Sequence, residues 1–179
     1  LLLLPACGQE DGPREGDLVI TATTYPAYLM ACSVTQGAEG IYLQRLNTGQ
    51  VSCLHDYTLT VLDMKRIEQA DVLILNGAEL EEFMDDAPAA SSAAVVDCSE
   101  GMELLESLSH DHQEEAEHGH DHGHWDPHYW MDPGRAADMA RHIADGLSQA
   151  DPERQSLYQA NAQAVEDALS QAMDRWAAL

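Results

Sequence analysis

Apolar and polar positions change rhythm several times along this chain. Asp17-Leu-Val-Ile-Thr-Ala-Thr-Thr24 is a β-branched run that reads as a strand, and Tyr25 to Gln36 reads as a helix after it. Ile41 to Leu46 reads as a second strand, closed by the turn-forming Asn47-Thr48-Gly49. A helix is expected from about Leu59 to Gln69, with Thr60 and Asp63 at the spacing of a capping pair. Asp71 to Gly77 is apolar almost throughout, as a strand covered on both faces requires. A short helix (Glu79 to Met84) and a fourth strand (Ala94 to Cys98) complete the series. Strands alternating with helices specify an α/β fold: a four-stranded parallel sheet with helices on both faces.

Past residue 125 the pattern is helical. A helix covers Ala136 to Leu147, and Asp132-Pro133 and Asp151-Pro152 each place an N-capping acid before a proline at the first helical position. The last helix should run from Pro152 to near Leu179, with Tyr158, Ala162, Val165, Leu169, Met173 and Trp176 on one stripe. At 1.5 Å per residue it spans roughly 40 Å, longer than so small a lobe needs. The stripe continues to Trp176 and Leu179 without a stop signal, which predicts a linking helix leading to a second lobe absent from this chain.

The two ends and the linkers complete a map. Leu1 to Leu4 is too short to span a bilayer and reads as the remnant of a signal peptide; Leu4-Pro5-Ala6-Cys7 resembles a bacterial lipobox, with Cys7 as the lipidated residue and proline a departure from the usual pattern. Residues 1–7 are thus signal remnant and lipobox, 8–16 a linker, 17–149 an α/β lobe with a histidine-rich loop at 109–125, and 150–179 the interlobe helix. With Cys7 lipidated, Cys32, Cys53 and Cys98 allow one disulfide in any of three pairings; no CxxC spacing marks a cysteine zinc site.

Charge narrows the function. The net charge of -24, with 45% hydrophobic residues, gives ample core and no basic stripe to neutralise phosphate, so nucleic acid is excluded as a partner. The acidity suits a cation-attracting surface, although solubility alone also accounts for it.

Histidine supplies the chemistry. His110, His112, His118, His120, His122 and His124 crowd a polar, acid-rich tract, the composition of a metal-gathering segment. Two quieter histidines sit elsewhere. His128 lies in Asp126-Pro-His-Tyr-Trp-Met-Asp-Pro133, where two Asp-Pro pairs restrict the backbone on either side and favour a fixed ligand over a residue merely packed between Trp125 and Trp130. His55 lies in Ser52-Cys-Leu-His-Asp-Tyr-Thr-Leu-Thr60 beyond the second strand, near the carboxyl edge where open parallel sheets bind ligands, with Asp56 and Tyr57 placed to orient it. His142 reads as a surface helix residue, and Glu79, Glu81 and Glu82 as a solvated helix face.

Several stretches carry a resemblance. CLHDYTLT (53–60), ADVLILNGAELEEFM (70–84), VVDCSEG (95–101), the histidine-rich loop and DPHYWMDPGRAADMARHIADGLSQADPE (126–153) resemble the zinc/manganese solute-binding lipoproteins of bacterial ABC transporters. That resemblance covers nearly the whole chain. It implies two α/β lobes joined by one rigid helix, metal bound in the cleft between them, and His55 and His128 as the ligands from this lobe. A third histidine and an acidic ligand would come from the second lobe. The long loop before DPH resembles the zinc branch, with manganese the weaker alternative, and imidazole donors agree.

The resulting expectation is an extracytoplasmic, lipid-anchored, non-enzymatic receptor that captures Zn²⁺ and hands it to a membrane permease. A zinc-buffering or adhesion protein is the alternative. A zinc hydrolase ranks behind both, because neither an HExxH helix nor a Ser/His/Asp constellation is visible.

Overall fold

A computed structural model describes residues 12–46, 57–84, 91–107 and 124–178. Its order is β1 (Leu18–Ala22), α1 (Tyr25–Val34), β2 (Ile41–Arg45), α2 (Val61–Glu68), β3 (Val72–Leu75), β4 (Ala94–Asp97), α3 (Pro133–Ala150) and α4 (Gln155–Ala177), with single 3₁₀ turns at Glu82–Met84, Tyr129–Met131 and Pro152–Arg154. The sheet runs β2-β1-β3-β4 and every pairing is parallel, as expected from the alternation of elements.

The two faces of the sheet are unequally covered. Ile20, Ala22, Val72, Ile74 and Val96 point into the larger core, with Ala27, Ala31 and Val34 of α1, Met139, Ile143 and Leu147 of α3, and Tyr158 of α4. Leu73, one residue out of phase with Val72 and Ile74, faces the opposite way and meets Leu46, Ile67 of α2 and Met84 in a smaller core. This alternation explains why β3 needs apolar residues at every position.

Local signals are borne out where they are chemical. Thr60 and Asp63 form the capping box of α2, and Asp132 caps α3 by accepting from Arg135 N–H at 2.9 Å. Gly146 lets α3 approach β4: a Cβ there would enter the Val96 side chain.

Four expectations are corrected. Asp151 does not cap the last helix with its side chain. Pro152 opens a 3₁₀ turn in which the Asp151 backbone carbonyl takes Arg154 N–H, leaving the carboxylate to accept from Arg154 Nη1 and the Tyr158 hydroxyl, both at 2.6 Å. The segment expected as a helix from Glu79 to Met84 is a left-handed turn followed by one 3₁₀ turn: Gly77, Ala78 and Glu79 have φ of 77°, 55° and 63°. His142 is half-buried rather than a surface residue, its Nδ1 donating to the Cys98 carbonyl at 2.7 Å as α3 crosses the end of β4. Glu81 is buried, not solvated, while Glu79 and Glu82 are exposed as expected.

Cys98 is a buried free thiol, so neither pairing that would use it forms; Cys53 lies outside the described residues. Along α4 the apolar stripe emerges into solvent. Tyr158 and Ala162 are buried, Val165 and Leu169 partly so, and Trp176 is 83% exposed. Among the described residues no helix is long and apolar enough to cross a membrane.

Candidate metal centre

The chain gathers its polar chemistry at the carboxyl edge of the sheet. Thr23 follows β1, Asn76 and Gly77 follow β3, and Ser99 follows β4. The turn after β3 directs three consecutive amides at side-chain acceptors. Asn76 N–H meets Glu81 Oε1 at 2.7 Å, Gly77 N–H meets Glu81 Oε2 at 3.0 Å, and Ala78 N–H meets Ser99 Oγ at 2.8 Å. Ser99 Oγ itself donates to Asp97 at 2.7 Å. The first two of these amides converge on one carboxylate, an anion nest filled by the protein's own side chain. Left-handed backbone at Ala78 and Glu79 costs about 1 kcal/mol or more per residue, and these bonds hold it in place. Gly77 is required: a Cβ there would strike the Asp97 carboxylate.

Glu81 also accepts from the Thr23 hydroxyl at 2.5 Å. Burial pushes its carboxyl up to about 7, outweighing the three donors that favour the charged form; Asp97 adds to the rise.

His128 stands above this cradle. It precedes the 3₁₀ turn Tyr129–Met131, and its side chain is 61% exposed while its neighbours Pro127 and Tyr129 are buried. Asp126 Oδ1 accepts both the His128 N–H at 3.0 Å and the ring Nδ1–H at 2.8 Å. That pairing assigns the Nδ1–H tautomer and leaves Nε2 as the unprotonated ring nitrogen. The same two bonds hold the Asp126 carboxyl below its usual range. The ring lies 5.2 Å from that of Trp130, at a tilt. It is not packed between the two tryptophans.

The other histidines fall differently. His55 and its neighbour Asp56, along with His110, His112, His118, His120 and His122, lie outside the described residues, as does Cys7. Tyr57 is described, and its hydroxyl donates to Asp63 at 2.6 Å inside the α2 cap; burial raises its pKa to about 12. His124 belongs to the folded lobe. Glu106 pairs antiparallel with Trp125, Ser107 N–H reaches the His124 carbonyl at 2.9 Å, and Glu79 accepts the His124 N–H. Among the described residues no three His, Cys, Asp or Glu side chains converge as a metal site.

Asn76 and Tyr129 carry no sequence motif of their own, and Glu81 reads in the sequence as part of a solvated helix face. A signal for Asn76 existed: an asparagine closing a fully apolar strand before glycine sits where that strand's ligand-facing end must be.

The parallel sheet, with α3 and the long α4 packed against it, recurs in solved structures of metal-binding proteins. The chain superposes on a Zn(II)-bound variant of AdcAII from Streptococcus pneumoniae with a TM-score of 0.75 at 27% identity, over 91% of this chain and 58% of that one. Residues 20–179 match the family described as zinc-uptake complex component A, periplasmic (ZnuA), and the chain belongs to that family.

Two relatives illustrate the relationship. The zinc-binding protein AdcA of Streptococcus pyogenes serotype M3 is 30% identical over 169 residues, covering 83% of this chain and 31% of AdcA. The high-affinity zinc uptake system protein ZnuA of Bacillus subtilis is 26% identical, covering 89% of this chain and 52% of its own length. The chain thus spans a third to a half of the curated relatives it matches.

Proposed function

We propose that this chain belongs to the extracytoplasmic zinc-capturing component of an ABC uptake system, which hands Zn²⁺ to a membrane permease and is held to the membrane by lipid on Cys7. Zinc is cargo here, and no bond is made or broken in it. The observation that carries the reading is His128. Its ring is tied at Nδ1 to Asp126, its neighbours are buried and its Nε2 is left to solvent, the arrangement a zinc-binding imidazole requires. Family membership and the zinc-binding relatives support zinc as the ion, with manganese behind it because the donors are imidazoles.

In this reading His55, beyond the neighbouring strand β2, supplies a second imidazole. Closed zinc sites take four donors, so two more are needed. A second lobe joined through α4 would supply them, which suits the greater length of the relatives and the emergence of Met173 and Trp176 into solvent. This chain alone should therefore bind zinc far more weakly than a chain carrying both lobes. Histidines 110–122 gather zinc without forming the selective site, because a polar tract must lose conformational entropy on chelation.

Zinc titration calorimetry tests the assignment on three variants: His128→Ala, His55→Ala and a deletion of residues 110–122 that spares His124. The two substitutions should each abolish the tightest site, and the deletion should lower stoichiometry while preserving it. Loss of nearly all binding on deletion, with the substitutions silent, would instead make the protein a zinc buffer.

A further inference from the structure

Both chain neighbours of His128 are held by one residue. Asn76 Nδ2 donates to the Pro127 carbonyl at 3.2 Å, and the Asn76 backbone carbonyl accepts from the Tyr129 hydroxyl at 2.6 Å. Asn76 is in turn fixed by Glu81, which takes its N–H on one carboxylate oxygen and that of Gly77 on the other. The bonds form a relay: Glu81 to Asn76, Asn76 to Pro127 and Tyr129, and the segment between them to the imidazole.

We propose that Glu81 and Asn76 are positioning residues for His128, setting the direction of its Nε2 through the backbone on either side. The inference rests on the reading of His128 as a zinc ligand. Three observations carry it. The His128 ring is 61% exposed, so packing cannot aim it, and Asp126 fixes only its rotation relative to a backbone that something else must hold. A buried carboxylate is an expensive means of satisfying two amides when the next amide, Ala78 N–H, is satisfied by the neutral Ser99 hydroxyl. The left-handed turn at Ala78 and Glu79 is tolerated where Glu81 and Ser99 over-determine it, the mark of strain kept at a working site.

The ionisable groups facing Glu81 are Asp97 and Cys98 at the end of β4 and Tyr129 of the 3₁₀ turn. Protonation of Glu81 turns one acceptor oxygen into a donor. Thr23 can accommodate this, because the Ile74 carbonyl lies 3.3 Å from its hydroxyl as an alternative acceptor. The aim of His128 should therefore respond to pH near neutrality through Glu81.

The test uses the chain with His110, His112, His118, His120 and His122 replaced by alanine, which removes background zinc binding. Its variants are Glu81→Gln, His128→Ala and Leu147→Ala, the last a buried α3 residue that supplies a destabilised control. Carbon-labelled histidine reports the His128 ring signals without zinc, and competition with a chromophoric chelator reports zinc affinity at pH 6.5 and 8. Glu81→Gln should shift or broaden the His128 signals, weaken zinc by about tenfold, and reduce the difference between the two pH values. Leu147→Ala should leave the signals and the affinity in place.

His128 signals unmoved by Glu81→Gln, or moved equally by Leu147→Ala, would overturn the proposal. Moved signals with unchanged affinity in both Glu81→Gln and His128→Ala would leave the positioning intact and remove the ligand assignment instead. If Glu81→Gln does not fold, Tyr129→Phe, which deletes one hydroxyl of the same relay, must move the His128 signals; unmoved signals there would overturn it equally.

Discussion

Two carboxylates stand at the carboxyl edge of the sheet, and their surroundings drive them in opposite directions. Glu81 lies beneath the turn after β3, and loss of water outweighs its three donors, raising its pKa to about 7. Asp126 lies in the open beside His128, and the bonds it accepts from that residue's backbone and ring lower its pKa. The first shapes backbone and contributes through the buried hydrogen bonds it accepts. The second orients a ring and contributes little to folding. Stability and metal binding should therefore separate between the two positions.

The largest effect is expected from Glu81→Ala. It leaves Gly77 N–H without an acceptor in the interior and Asn76 N–H with only the Thr23 hydroxyl at 3.4 Å, and an unsatisfied buried amide costs about 1–3 kcal/mol. Urea unfolding should show a loss of about 3 kcal/mol with an unchanged slope. A loss below about 1 kcal/mol would mean that the turn does not depend on its carboxylate.

The pH dependence of stability follows next. The folded-state pKa of Glu81 lies above its unfolded value of 4.5, so the native state binds the extra proton. Its contribution is fully present below 4.5 and is lost as pH rises through about 7. The change should be about 3 kcal/mol between those limits, and Glu81→Gln should flatten it. A profile that rises over the same window in the wild type and is indifferent to the substitution would invert the comparison.

Smaller effects should follow at Tyr129 and Asp126. Tyr129→Phe removes one buried hydrogen bond and should cost about 1 kcal/mol. Asp126→Asn should change stability by only a few tenths of a kcal/mol, because the pair is exposed, yet weaken zinc by about 10- to 100-fold. Thermal unfolding and zinc competition on the same preparation separate these quantities. An Asp126→Asn protein that loses stability and keeps its affinity would erase the distinction.

The sequence displayed the scaffold more readily than the site's supports. Strand β3 was legible because its apolar run is continuous, and α2 because Thr60 and Asp63 sit at cap spacing. His128 stood out because two Asp-Pro pairs bracket it. Glu81 was hidden among Glu79 and Glu82, three chemically identical neighbours. Which of them turns inward is decided by the left-handed turn before it, and that turn depends on Asp97 and Ser99 at the end of a different strand. Asp151 misled for a related reason. Its Asp-Pro signature is that of a cap, but a 3₁₀ turn and Tyr158, seven positions on, claimed the carboxylate. Local chemistry can be read locally; contacts between distant segments cannot.

The antiparallel bridge between Glu106 and Trp125 has a consequence for the histidine tract. With the Ser107 and His124 backbones clasped and Glu79 holding the second of them, the two ends of the histidine tract are fastened to the lobe independently of what lies between. Doubling the length of such an insert adds only about 0.6 kcal/mol of closure entropy. Changes of length or of donor between those two clasped ends should therefore leave the unfolding free energy of the lobe nearly unchanged.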